Sequence, residues 1–450
     1  MPPYKKTILS NGLTVITSPY KESPAVAVLV VVEAGSDYET SPQNGISHFL
    51  EHMVFKGTKK RPSALIITEE LERTGAHYNA FTGNEYTGYY TKVASRFFDT
   101  ALDVISDIFM NPLLDEKEIE KEKGVVVEEI RMYNDIPQRK VRSIFAELAY
   151  GDQPAGRSIA GTEEKVRAFK REDIERYRNE RYVPSATTVV IAGAFNEEEA
   201  LKKVESAFAV AVHEKSQGLN KSVSPKPPVI TNQTSPKVKY ITKQCDQTHI
   251  VLGVRSYDVN HKDAVVAQVI AGILGGGMSS RLFQKLREDM GLCYYIHADA
   301  DQSTDHGMFT IVAGVDATKL DQALEAILKE LGQLRTNPVS ESELSKVKQH
   351  AIGSMMLSLE TSDAIAEFYG FQQILKHAIK SPTQIAEDIN AVTPEDIMRV
   401  SKDIFVDSGL NLAVIAKGAG ENAEGVENSE NAKVIENRER ELTAKLTFGK

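Results

Sequence analysis

Tryptophan is absent from this 450-residue chain, and cysteine occurs only twice, at Cys245 and Cys293. Two thiols cannot build the bridged framework of a small secreted domain or a cysteine-rich zinc site, so any metal must be held by histidine and carboxylate. Long apolar runs are also missing. The longest, Ala25 to Val32 (AVAVLVVV), is strand-length and rich in β-branched residues, far short of the ~20 residues that span a bilayer. No apolar segment follows Lys5 and Lys6, so no secretory signal is visible; the cytoplasm is the expected compartment and no membrane partner is expected. Basic charge is in deficit: 53 Lys and Arg face 63 Asp and Glu, for a net charge of −10, which argues against a nucleic-acid partner.

What the chain does have is material for more than one core. At 450 residues, with 41% hydrophobic and 26% charged, it reads as two globular domains. The halves carry a degenerate repeat. Glu172-Asp173-Ile174 followed by Arg176 recurs as Glu395-Asp396-Ile397 followed by Arg399, and each copy leads to a similar strand, TTVVIA from Thr187 and NLAVIA from Asn411. Upstream, Ala101-Leu102 with Asn111-Pro112 is echoed by Ala323-Leu324 with Asn337-Pro338. Between the halves, 213–239 is rich in Ser, Pro, Lys and Asn and reads as a linker. The expected boundaries are an N-terminal domain at 1–212, a related domain at 240–418, and a charged tail at 419–450 that is mobile or a solvated helix. Strands at Leu13 to Ser18 and Ala25 to Glu33, helices at Gly45 to Phe55 and Ser63 to Arg73, and a hairpin around Gly83-Asn84 make the class α+β.

His48-Phe49-Leu50-Glu51-His52 carries the chemistry. On a helix, positions i, i+3 and i+4 share one side, so His48 and His52 can hold one Zn²⁺ while Glu51 reaches a water on it. This H-x-x-E-H order is the inverzincin pattern. A catalytic zinc needs a third protein ligand, and Asp115 to Asn134 reads as a helix whose inward stripe contains Ile119, Val126, Ile130 and Tyr133. Glu122 and Glu129 fall in that stripe, whereas Glu128 lies about 100° away. A carboxylate on a buried-facing stripe needs compensation, and zinc provides it. Glu129 is therefore expected as the third ligand and Glu122 as the group that orients a ligand or water.

NGLTV from Asn11, GISHFLEHMVFKGT from Gly45 and VVVEEIRMYND from Val125 together resemble the pitrilysin/insulysin (insulinase) family of zinc metallopeptidases, most closely its mitochondrial processing peptidase subfamily. The resemblance spans nearly the whole chain. It implies two structurally related tandem domains, each a mainly antiparallel sheet covered by helices, forming half of a clamshell chamber. It implies one zinc per chain on His48, His52 and Glu129, with catalytic roles for Glu51 and Glu122. It further implies that Asn79, Ala80, Phe81 and Thr82 bind an extended peptide substrate as an added strand, although by themselves they read only as one arm of a hairpin. In the second half, Arg287 and Tyr294 resemble the family's Arg/Tyr pair that reaches a bound peptide, and Gly275-Gly276-Gly277 resembles its glycine-rich loop. No Gly-Lys-Ser/Thr ending follows these glycines, so they are not a phosphate loop, and a flexible turn is expected. The second half has no H-x-x-E-H of its own. A chain with half the family's four domains implies pairing, most simply as a homodimer, otherwise with a related chain. The expected activity is endopeptidase cleavage of short or unfolded peptides. The alternatives are a non-catalytic partner subunit of the same fold, or a metal hydrolase acting on another ester or amide.

Overall fold

The computed structural model describes residues 2–209, 225–418 and 429–448. The first part of the expected linker, to residue 224, and residues 419–428 and 449–450 of the tail lie outside the described residues.

Two sheets organise the chain. The first contains β1 (Lys5–Ile8), β2 (Thr14–Pro19), β3 (Ala25–Val32), β4 (His77–Thr82), β5 (Thr87–Ala94) and β6 (Thr187–Gly193), in the order β1-β2-β6-β3-β5-β4. The second contains β7 (Lys237–Lys243), β8 (Thr248–Ser256), β9 (Cys293–Gln302), β10 (Gly307–Val315) and β11 (Asn411–Lys417), in the order β7-β11-β8-β10-β9. Apart from β1, the pairing is the same in both. One parallel pair, β2 with β6 or β7 with β11, is followed by three antiparallel pairs. The repeat noticed in the sequence is therefore a repeat of topology. In each copy the Asp caps a helix start and accepts from the Arg three residues on: Arg176 to Asp173 at 2.6 Å, and Arg399 to Asp396 at 2.8 Å.

β3 is apolar at every position because both of its faces are covered. Val26, Val28, Val30 and Val32 face a core built with α1 (Ile46–Val54), α2 (Ala64–Glu72), α3 (Phe98–Met110) and α4 (Glu116–Asp135). Ala27, Leu29 and Val31 face the other way, onto Ile365, Ala366 and Tyr369 of the helix Ser362–Lys376. The second sheet mirrors this arrangement. Its Val251, Val312, Ala413 and Ile415 pack on Val141, Ile144 and Phe145 of α5 (Pro137–Tyr150), a helix that comes from the first half of the sequence.

The compact units are consequently not the contiguous halves expected at 1–212 and 240–418. One is made of Met1–Arg131, Arg157–Pro227 and Met356–Lys380, and the other of Met132–Gly156, Pro228–Met355 and Ser381–Lys450. Each sheet needs a cover for its second apolar face, and that cover is encoded in the opposite half of the chain. The described part of the tail is the helix of the two expectations, but not a wholly solvated one. This helix, Ser429–Lys445, buries Leu442, with Leu446 just beyond it, in the second core, and its Glu439 accepts from the Tyr240 main chain.

Candidate metal centre

α1 begins at Gly45, whose φ of +98° favours glycine and whose added Cβ would lie 2.7 Å from the Ala160 carbonyl oxygen. A glycine offers no side-chain cap. Glu39 supplies one from the preceding loop: its buried carboxylate accepts from the main-chain N–H of Gly45 at 2.7 Å and of Ser47 at 2.8 Å. Burial pushes the Glu39 carboxyl up to about 7, against the lowering effect of these bonds. The Ser47 hydroxyl is also tied to the Tyr177 hydroxyl at 2.6 Å. Ile46, Phe49, Leu50, Met53 and Val54 face the core at helical spacing, which leaves His48, Glu51 and His52 together on the opposite side.

α4 brings the third group. Glu129 Oε2 lies 3.3 Å from His52 Nε2 and 3.6 Å from His48 Nε2. One donor atom from each of the three residues lies within 4.8 Å of the other two, and among the described residues this is the one cluster of at least three such ligands. Two imidazole nitrogens and a carboxylate oxygen are the donor set and number of a catalytic zinc site, so the residues fit that ion. Glu122, two turns before Glu129, is almost fully buried. It accepts from His52 Nδ1 at 2.8 Å, which places the proton on Nδ1 and leaves Nε2 toward Glu129. The other Glu122 oxygen is 2.6 Å from the ammonium of Lys56.

The two histidines differ in their electrostatics. Burial and the neighbouring His52 hold His48 down at about 4. Burial also opposes charge on His52, but its bonds to Glu122 and Glu129 lift it to about 9. Glu51 is raised by burial, an effect reduced by a hydrogen bond from the Thr82 hydroxyl at 2.5 Å. Glu128 turns outward to Arg131, as its place on the helix implies.

β4 is the edge strand of the first sheet, with no strand on its outer side among the described residues. Gly83 N donates to Tyr86 O, so the ladder alternates such that Asn79 and Phe81 bond to β5, while the main-chain groups of Tyr78, Ala80 and Thr82 face the open edge. Ala80 N donates to the Asn79 side chain at 2.9 Å. The ring of Phe81 turns to the other face, against Tyr86, Tyr90 and Phe371.

Arg287 and Tyr294 belong to the second unit and meet there. The Arg287 guanidinium sits 4.7 Å from the ring centre of Phe283 and 5.4 Å from that of Tyr294, within a π-helical segment, Phe283–Asp289. Of the three glycines expected in a turn, Gly276 and Gly277 lie in the bend that follows the helix Ala264–Gly275, whereas Gly275 ends that helix, where a Cβ would come 2.2 Å from the Ala298 main-chain nitrogen. That glycine allows helix and strand to touch.

Lys56, Glu39 and the hydroxyl of Thr82 escaped the sequence reading. Lys56 was the most accessible of the three, because it lies only four residues past His52, in the turn that ends α1. Glu39 and Thr82 act across loops and strands and leave no local pattern.

Residues 14–163 match the family model for insulinase (peptidase family M16), and residues 168–350 match that for the peptidase M16 inactive domain. YmxG of Bacillus subtilis, described as an uncharacterized zinc protease, is 36% identical over 413 residues, covering 92% of this chain and 98% of that protein. Among solved structures, a protease from Helicobacter pylori superposes with a TM-score of 0.85 at 23% identity, covering 92% of this chain and 99% of that one. A chain of complex III2 from Candida albicans does so at 0.78 and 19% identity, over 96% and 99%.

Proposed function

The chain belongs to the insulinase family, peptidase family M16, and from that premise we propose that it is a zinc-dependent endopeptidase acting on short or unfolded peptides. The observation that carries this reading is the meeting of His48, His52 and Glu129 around one point, with Glu51 close enough to feel the charges of His52 and Glu129. Zinc held by those three residues supplies Lewis acidity and lowers the pKa of water toward ~7. Glu51 takes a proton from the attacking water and returns it to the leaving amine nitrogen, one carboxylate serving as base and then as acid. Glu122 keeps the His52 ring in place through Nδ1. The peptide lies along β4 as an added strand, bonded to the outward main-chain groups of Ala80 and Thr82.

A second copy of the chain supplies Arg287 and Tyr294 to the bound peptide in this reading, which accounts for a second half with no metal motif of its own. Light scattering at twice the chain mass is the expected result. The two unpaired cysteines and the absence, among the described residues, of any helix long and apolar enough to cross a membrane suit a cytoplasmic enzyme.

The test is cleavage of a quenched-fluorescent peptide library by purified protein, with bound zinc measured in parallel. Glu51→Gln is expected to retain zinc and lose about 10²–10⁴-fold in turnover. Bound zinc with no cleavage by the wild type would favour a non-catalytic partner subunit of the same fold. Turnover unchanged in Glu51→Gln would remove Glu51 from the chemistry.

A further inference from the structure

We propose that the side chain of Thr82 is a positioning group for Glu51, so that the strand on which the peptide docks is also the element that aims the general base. The inference rests on the peptidase reading above and assigns Thr82 a task separate from its main-chain contacts with substrate.

The Thr82 hydroxyl donates to Glu51 Oε2 at 2.5 Å, the short end of the range for a hydroxyl on an ionised carboxylate. A glutamate side chain has three rotatable bonds, and Glu51 sits near the end of a nine-residue helix. Holding it in a single rotamer requires an outside contact. Thr82 provides a stiff one. It is the last residue of β4, its main chain is fixed opposite Thr87 in the ladder, and its β-branched side chain has few χ1 choices in a strand. One carboxylate oxygen is thereby occupied and oriented, and the other is left for the proton that moves in the reaction.

The same residue presents its main-chain groups to the open edge of the sheet. A peptide added to that edge stiffens the end of β4 on which the Oγ1 contact depends. Docking in register and alignment of the base are then one event, and a peptide that misses the last edge position gains binding without full turnover.

The experiment compares Thr82→Ser, Thr82→Ala and Thr82→Val in the full chain, measuring bound zinc, KM and single-turnover rate on one peptide. Ser retains the hydroxyl and is expected to stay within a few-fold of wild type. Ala and Val are expected to lose about 10- to 100-fold in single-turnover rate, the cost of a displaced catalytic group, with KM and zinc content unchanged. Ser and Ala differ only by the hydroxyl, so equal rates in that pair overturn the proposal even if Val disturbs the strand. Loss of zinc or a raised KM in Ala but not Ser also overturns it, because the hydroxyl would then serve the site's integrity or peptide binding. An inactive wild type counts against the peptidase reading itself, whereas an active wild type with insensitive Thr82 variants counts against this inference alone.

Discussion

His52 and Glu122 form the hinge of the metal centre: Nδ1 of the imidazole donates to the buried carboxylate at 2.8 Å, while the ammonium of Lys56 holds the second carboxylate oxygen at 2.6 Å. The bond fixes which ring nitrogen carries the proton, and Lys56 offsets the cost of burying the carboxylate.

Removing that orientation should weaken the metal site without abolishing the ligands. Glu122→Gln is expected to lower zinc affinity about 10- to 100-fold, measured by chelator competition. Lys56→Met should act in the same direction and less strongly. Wild-type affinity in Glu122→Gln would mean that the His52 ring needs no such support.

Arg61 is almost completely buried and reaches three acids: Glu70 through two bonds at 2.7 Å, Asp103 at 2.6 Å and Asp107 at 2.8 Å. It anchors the turn after α1 to α3. Arg61→Met leaves Asp107 buried beside only its neutral partners, whereas Glu70 and Asp103 regain water. The expected loss is about 2–4 kcal/mol, read by chemical denaturation. A change below about 0.5 kcal/mol, the level of an ordinary surface substitution, would show the network to be dispensable.

Burial, and next the charge of Glu85, raise the Glu33 carboxyl from its ordinary 4.5 to about 7 in the folded protein. Between those values the folded state holds a proton that the unfolded chain has released. The penalty on folding therefore begins near pH 4.5, grows to pH 7 and is constant above. Glu33→Gln should raise the stability of the first unit by about 1–3 kcal/mol at pH 8 and leave it unchanged near pH 4. Melting curves at the two pH values check this, and an equal shift at both would assign the effect to packing.

The first sheet depends on the helix Ser362–Lys376. A fragment of residues 1–227 contains every strand of that sheet but exposes Ile16, Ala27, Leu29, Val31 and Val190. It is expected to aggregate or to bind a hydrophobic dye strongly, and co-expression of residues 356–380 should reduce both. A soluble 1–227 fragment with a cooperative melt would show that the exchanged helix is not needed.

The local elements and the three residues of the candidate metal site were legible in the sequence because each rests on short-range geometry. Helical spacing put His48, Glu51 and His52 on one side of α1 and put Glu122 and Glu129 on one side of α4, and strand composition marked β3 and β4. Only the tertiary structure decided which helix covers which sheet, because an apolar face specifies that it must be covered and not which segment covers it. The same holds for Glu39 on the start of α1, Lys56 on Glu122 and Thr82 on Glu51: each side chain satisfies a neighbour that sequence distance alone does not identify. The spacing of residues along a helix or strand is a property of the local backbone, whereas the pairing of a carboxylate with a hydroxyl or ammonium depends on where separate elements come to rest.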